Sequence, residues 1–128
     1  QISMAAALDW LGRANENRSV EARLLPAALL LRAVGLALTK APSLNGYDED
    51  GGFRAGEGIH VGWAVALRGG GLVAPAIHDV DKLNIDALMS ALRDVVARAR
   101  RGGLRRSEMV DATVTVTSLG ERGADTVQ

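Results

Sequence analysis

Two imidazoles, His60 and His78, are the only histidines in the chain, and histidine is the side chain best suited to proton transfer near neutral pH. His60 opens the apolar run Ile59–Leu67, where a strand-end imidazole bonded to backbone is the simplest reading. His78 follows a second apolar run and precedes Asp79 and Asp81, a grouping that suits a His–Asp relay or a weak metal site. Neighbours on a strand point to opposite faces, which argues against the His78–Asp79 pair. The glycine run Gly69–Gly71 after Arg68 offers backbone N–H groups to a phosphate. It lacks the Lys-Ser/Thr and the following helix N-terminus of a nucleotide loop, so a hairpin turn is the better reading. Asp48-Glu49-Asp50 resembles half a calcium loop without its remaining ligands. The basic run from Arg98 to Arg106 has three readings. It can be a solvated helix C-terminus favoured by the macrodipole, a nucleic-acid surface, or a docking patch for a phosphate-bearing cofactor or an acidic partner. There is no cysteine, which excludes disulfides, thiol catalysis and cysteine-ligated metals, and no metal is expected.

The elements that must position these residues follow from periodicity. Ser3 to about Asn15 reads as an amphipathic helix with Ser3 as N-cap and Met4, Leu8 and Leu11 on one stripe. A second helix runs from about Leu25 to Lys40, with Pro26 in its first turn. It is apolar nearly all round, which means central burial or a membrane span. Its apolar run contains Pro26 and Arg32 and falls short of the ~20 residues a span requires, so a buried core helix is expected. Gly51–Gly58 reads as a loop or short hairpin carrying Phe53. Ile59–Leu67 and Leu72–Ile77 read as two strands, with Pro75 marking an edge or bulge. Asn84 to about Arg101 reads as a helix with Ile85, Leu88, Leu92, Val95 and Val96 in its stripe, ended by Gly102-Gly103. Ser107–Met109 is at most one helical turn, and Thr113–Thr117 alternates as a strand. The tail Glu121–Gln128 is expected to have no element of its own.

The order is helix, helix, strands, helix, strand: a mixed α/β, two-layer fold in one domain, which 128 residues accommodate. Fifteen Lys+Arg balance 15 Asp+Glu, so no general attraction to nucleic acid or membrane is expected. Four aromatics, Trp10, Trp63, Phe53 and Tyr47, leave an aliphatic core and too few rings for a base-stacking platform. No basic n-region and apolar h-region stand at the start, and a cytoplasmic location is expected.

Several segments in order carry a resemblance. They are Ala41-Pro42-Ser43-Leu44-Asn45, then Ile59-His60-Val61-Gly62-Trp63-Ala64-Val65-Ala66, then Gly71-Leu72-Val73-Ala74-Pro75-Ala76-Ile77. The long helix with its Ala-Arg-x-Gly-x-Leu style ending follows, and then Thr113-Val114-Thr115-Val116-Thr117-Ser118-Leu119-Gly120. Over about residues 24–123 the chain resembles the catalytic domain of dihydrolipoyl acyltransferases, the core component of 2-oxo acid dehydrogenase complexes. That family reads F-P-x-L-N, N-I-G-x-A-V, G-L-x-V-P-V-I, A-R-x-G-x-L and T-F-T-I-S-N-L-G. The resemblance implies a partial chloramphenicol-acetyltransferase-like sandwich of a mixed sheet and helices. It also implies acyl transfer, acetyl, succinyl or branched-chain, between dihydrolipoamide and coenzyme A. Coenzyme A would be a substrate, and the lipoyl group would sit on a separate domain of the parent chain. The implied partners are a homotrimer or larger cage, the lipoyl domain, and the decarboxylase and dihydrolipoyl dehydrogenase components.

In the family a histidine removes the thiol proton, and a hydroxyl of the T-x-S-N-L-G strand end stabilises the oxyanion. Thr117 matches that hydroxyl position, Ser118 stands for the asparagine, Leu119 and Gly120 continue the match, and Ser118, Leu119 and Gly120 are implied as substrate-binding positions. The family's H-x-x-x-D-G motif does not occur in the 128 residues, and neither His60 nor His78 inherits the base role. The chain is therefore expected to be one partial catalytic domain, residues 1–128, inactive alone. The alternative is a non-catalytic oligomeric assembly module of the same fold.

Overall fold

The computed structural model describes residues 1–118. In it a layer of helices packs on one face of three short strands. Helix α1 (Ala5–Asn15) begins two residues after Ser3, with Met4 in the cap position. The expected Ser3 cap is corrected: its Oγ accepts only the Ala5 N–H, at 3.4 Å, outside good hydrogen-bond distance. Of the predicted stripe only Leu11 is buried, and Leu8 is half exposed. Asn15 closes the following loop, donating from Nδ2 to the Leu24 carbonyl at 2.9 Å and accepting the Leu24 N–H at 2.8 Å.

Helix α2 (Pro26–Lys40) starts at its proline as the sequence indicates. It buries Ala28, Leu31, Gly35 and Leu38, while Leu36 is 46% exposed. The expectation of burial on all sides is thus corrected: one face packs on α3 and the other reaches solvent. No helix among the described residues is long and apolar enough to cross a membrane. Gly35 suits a close approach here: a Cβ would lie 3.1 Å from Val80 Cγ2 and 3.3 Å from the Asp81 nitrogen, tighter than ordinary contact.

Helix α3 (Ile85–Arg100) is capped by Asn84, whose Oδ1 accepts the Ala87 N–H at 2.8 Å, meeting one of the orphan donors of the first turn. It ends in a Schellman turn: Gly102 takes φ +76° and the Gly103 N–H reaches the Arg98 carbonyl at 2.8 Å. Leu88, Leu92 and Val95 of the expected stripe are buried, joined by Met89 and Ala99.

The strands are shorter than the apolar runs suggested. A hairpin, β1 (Gly46–Glu49) with β2 (Gly52–Ala55), carries Phe53. The run Ile59–Leu67 divides into β3 (Val61–Trp63) and β4 (Val65–Ala66), and Leu72–Ile77 divides into β5 (Leu72–Val73) and β6 (Ala76–Ile77). Pro75 explains the second break: it has no N–H to give a ladder, and its carbonyl accepts the Trp63 N–H at 3.1 Å. The central sheet is β6-β3-β7, with β7 (Val114–Val116) parallel to β3 in the register Val61↔Val114, Gly62↔Thr115, Trp63↔Val116. β4 and β5 pair separately, antiparallel, across the turn Gly69–Gly71. All three of its glycines have positive φ, which only glycine adopts freely; the hairpin-turn reading holds. Leu24, Leu31, Val61, Val80 and Leu88 are almost wholly buried, so the core is aliphatic as the composition requires.

Arg98 is withdrawn from the basic run by folding. It pairs with Glu108 of helix α4 (Arg106–Val110) through two guanidinium nitrogens and with Asp94 at 3.0 Å through Nε. Glu108 also accepts the Arg105 N–H at 2.8 Å. The guanidinium, and less so the Arg105 N–H, hold the Glu108 carboxyl down at about 2, and the Arg98 pKa is raised in turn. This joint pins α4, and with it the entry to β7, onto α3.

A depressed carboxylate stabilises fully above its unfolded value and loses that contribution as pH falls through its folded value. Urea unfolding from pH 6 to pH 2 is expected to show stability falling below about pH 4.5, with Glu108→Gln removing much of that slope. At neutral pH the substitution should cost about 2 kcal/mol. An unchanged slope would show that the pair does not hold the two helices.

Candidate active site

The end of β7 presents the residues singled out by sequence. Val114 and Val116 pack toward the aliphatic core, which places the helices on the valine face. Thr115 is exposed and lies over Gly62 on the opposite face, its Oγ1 3.0 Å from where a Gly62 Cβ would be. Thr117 follows the last strand residue and is exposed, as is Ser118. The strand is carried up to that point by pairing with β3, and the Ala64 N–H still reaches the Val116 carbonyl at 3.1 Å. Leu119 and Gly120 lie outside the described residues.

Both histidines stand at the other end of the same sheet. The Thr113 N–H donates to the His60 carbonyl at 2.7 Å, so His60 is level with Thr113. Four residues of extended chain, about 13 Å, separate that level from Thr117. His60 and His78 contact each other with ring centres 4.9 Å apart. His78 Nε2 lies 3.0 Å from Asp111 Oδ2, so the relay partner suggested by sequence, Asp79, is replaced by a residue 33 positions away. Asp79 adopts a left-handed turn, φ +54°, and its N–H donates to His60 Nδ1 at 3.1 Å. That nitrogen is therefore an acceptor, and a neutral His60 carries its proton on Nε2. Among the described residues no group of three or more His, Asp and Glu is arranged to hold a metal.

Sequence reasoning passed over the residues that tie this end together. Thr113 is buried; its hydroxyl donates to Asn45 Oδ1 at 2.6 Å and accepts the His60 N–H at 3.1 Å. Asn45 Nδ2 then donates to the Gly58 carbonyl at 3.0 Å. Tyr47 Oη donates to the Asp111 carbonyl at 2.8 Å. No local signal marked Thr113, because Thr113–Thr117 alternates without a break; it differs from Thr115 and Thr117 only in being buried, and a buried hydroxyl demands partners.

Residues 1–128 match the family described as 2-oxoacid dehydrogenases acyltransferase (catalytic domain). The chain belongs to this family. It is 36% identical over 111 residues, 85% of its length, to the dihydrolipoyllysine-residue acetyltransferase component of the pyruvate dehydrogenase complex of Mycobacterium bovis. It is 36% identical over 99 residues, 77% of its length, to acetyltransferase component 4 of the chloroplastic pyruvate dehydrogenase complex of Arabidopsis thaliana. It covers 20% of each of those two proteins, so the chain spans about a fifth of the length of the curated relatives it matches.

Among solved structures, a probable dihydrolipoamide acetyltransferase from Listeria monocytogenes superposes with a TM-score of 0.83 at 25% identity, covering 97% of this chain and 54% of that one. A truncated catalytic core of the 2-oxoacid dehydrogenase multienzyme complex from Thermoplasma acidophilum gives 0.79 at 26%, covering 95% and 56%. The Azotobacter vinelandii dihydrolipoamide acetyltransferase, studied for the roles of a serine, a histidine and an asparagine in its catalytic mechanism, gives 0.72 at 26%, covering 93% and 47%. The mixed two-layer fold expected from the family resemblance is the fold found.

The buried hydroxyl at Thr113 yields a direct test. Thr113→Val leaves Asn45 Oδ1 and the His60 N–H without their partner, which should cost about 1–3 kcal/mol in urea unfolding. Thr115→Val, on the exposed face, should stay within about 0.5 kcal/mol. Equal effects at the two positions would remove Thr113 from the set of structural anchors.

Proposed function

We propose that this chain supplies the oxyanion-stabilising half of the active site of a dihydrolipoyl acyltransferase, the other half coming from elsewhere in the parent protein or its assembly. Acetyl is the acyl group favoured by the two curated relatives named above, which both carry acetyl in their names. The branched-chain option has no support among them.

In this reading a thiolate, formed when a histidine elsewhere in the parent removes the thiol proton, attacks the thioester carbonyl carbon. The carbonyl π electrons move to oxygen, and the Thr117 hydroxyl donates a hydrogen bond to that oxyanion. Collapse of the tetrahedral intermediate expels the other thiol, which recovers the proton from the histidine. Acyl thus passes between dihydrolipoamide and coenzyme A, both acting as substrates. Donors aimed at developing charge are worth most where the strand holds them in place.

The observation that carries the reading is the position of Thr117. Its chain is held by a parallel partner strand up to Val116, and Thr117 itself is exposed. About 13 Å of extended chain separates His60 and His78 from Thr117 and keeps them from acting as its base, so the base must come from elsewhere in the parent protein or from a neighbouring subunit. A homotrimer or larger cage fits that requirement, and one matching structure is the cubic core of the pyruvate dehydrogenase multienzyme complex. The lipoyl domain, decarboxylase and dihydrolipoyl dehydrogenase are the partners that this reaction calls for.

In the full-length enzyme, Thr117→Val should lower kcat about 10²–10³-fold with little change in KM, while Thr117→Ser stays active. A valine variant with near-normal kcat would reduce Thr117 to a strand residue. Sedimentation of the full-length protein should give a trimer or a multiple of it, and a monodisperse monomer would contradict the shared site.

A further inference from the structure

On the helix-covered side of the sheet, opposite the face that carries Thr115, lies a groove of about 410 Å³ between the start of α2 and the second half of α3. Leu25, Met89, Leu92 and Val96 give it an aliphatic floor, with Trp63 along one wall. A volume in this range suits a small organic ligand.

The polar groups in the groove are all of one kind. Arg93 and Arg100 line it, and no aspartate or glutamate does. Arg93 is committed to structure, its two terminal nitrogens bonded to the carbonyls of Glu21 and Arg23. Arg100 has no hydrogen bond or ion pair among the described residues, and the Trp63 indole N–H has no acceptor there either. The groove therefore joins an apolar floor to two donors with no partner among the described residues, one of them charged. A guanidinium beside an apolar surface favours a planar anion such as a carboxylate, and an indole N–H asks for an acceptor.

We propose that this groove binds an aliphatic carboxylate, with the chain along Leu25, Met89, Leu92 and Val96 and the carboxylate at Arg100 and Trp63. The site is separate from the acyl-transfer reading and does not depend on it, because no thiol or thioester takes part.

The test is calorimetric titration of the full-length protein with decanoate and decyltrimethylammonium below their micelle concentrations, and with 1-decanol below its solubility limit. Decanoate is expected to bind saturably and at least tenfold more tightly than either of the other two. Arg100→Gln, at an exposed position, should keep the far-UV spectrum and the unfolding midpoint while weakening decanoate binding at least fivefold. Trp63→Phe, which keeps an aromatic wall and removes the donor, should weaken it as well. Equal binding of decanol and decanoate would show a merely apolar patch and overturn the proposal. So would an unaltered decanoate affinity in Arg100→Gln, or the absence of saturable binding. None of these outcomes bears on turnover at Thr117.

Discussion

A single hydroxyl, that of Thr113, joins three stretches of chain that are distant in sequence. It donates to Asn45 Oδ1 at 2.6 Å and accepts the His60 N–H at 3.1 Å, and Asn45 passes the connection on to the Gly58 carbonyl. Buried polar groups that are fully paired specify one arrangement, because any slip leaves a donor or acceptor dry. The slip excluded here is that of β7 against β3. A one-residue shift would turn the valine face of β7 outward and the threonine face inward. Everything proposed for Thr117 depends on that register.

The helices hold the same strand from the other side. Arg98 and Glu108 fix the short α4 to α3, and α4 leads into Asp111 and Thr113 within five residues of Glu108. Asp111 in turn accepts the Tyr47 hydroxyl through its carbonyl and meets His78 through its carboxylate. The imidazoles thus contribute to the architecture at the entry of β7, while the proposed chemistry lies at its exit. A basic run that looked uniform in sequence divides by role. Arg98 is structural, Arg100 borders an apolar groove, and Arg101, Arg105 and Arg106 are exposed.

Local signals in the sequence were enough for α2 and α3, since Pro26, Asn84 and Gly102 act within one turn of themselves. The strand positions were legible as apolar runs, but their division was not. Where β3 gives way to β4 depends on which neighbour accepts each N–H, and that is a tertiary matter. α2 misled for a related reason: an apolar sequence does not say whether its second face has anything to pack on. The His78–Asp111 and Asn45–Thr113 contacts span 33 and 68 residues, beyond the reach of any periodicity argument. Thr117 was reached only through resemblance to a family motif, because its exposed position after a strand has no signature of its own.

The central claim is that β7 delivers the Thr117 hydroxyl to the reacting carbonyl on the sheet face away from the helices. A crystal structure of the full-length enzyme with a non-hydrolysable acetyl thioether analogue of acetyl-coenzyme A tests it most directly. The account predicts Thr117 Oγ1 within about 3.2 Å of the acyl oxygen, with Val116 still beside Trp63. Thr117 turned toward the helix layer, or an acyl group bound away from the end of β7, would contradict it.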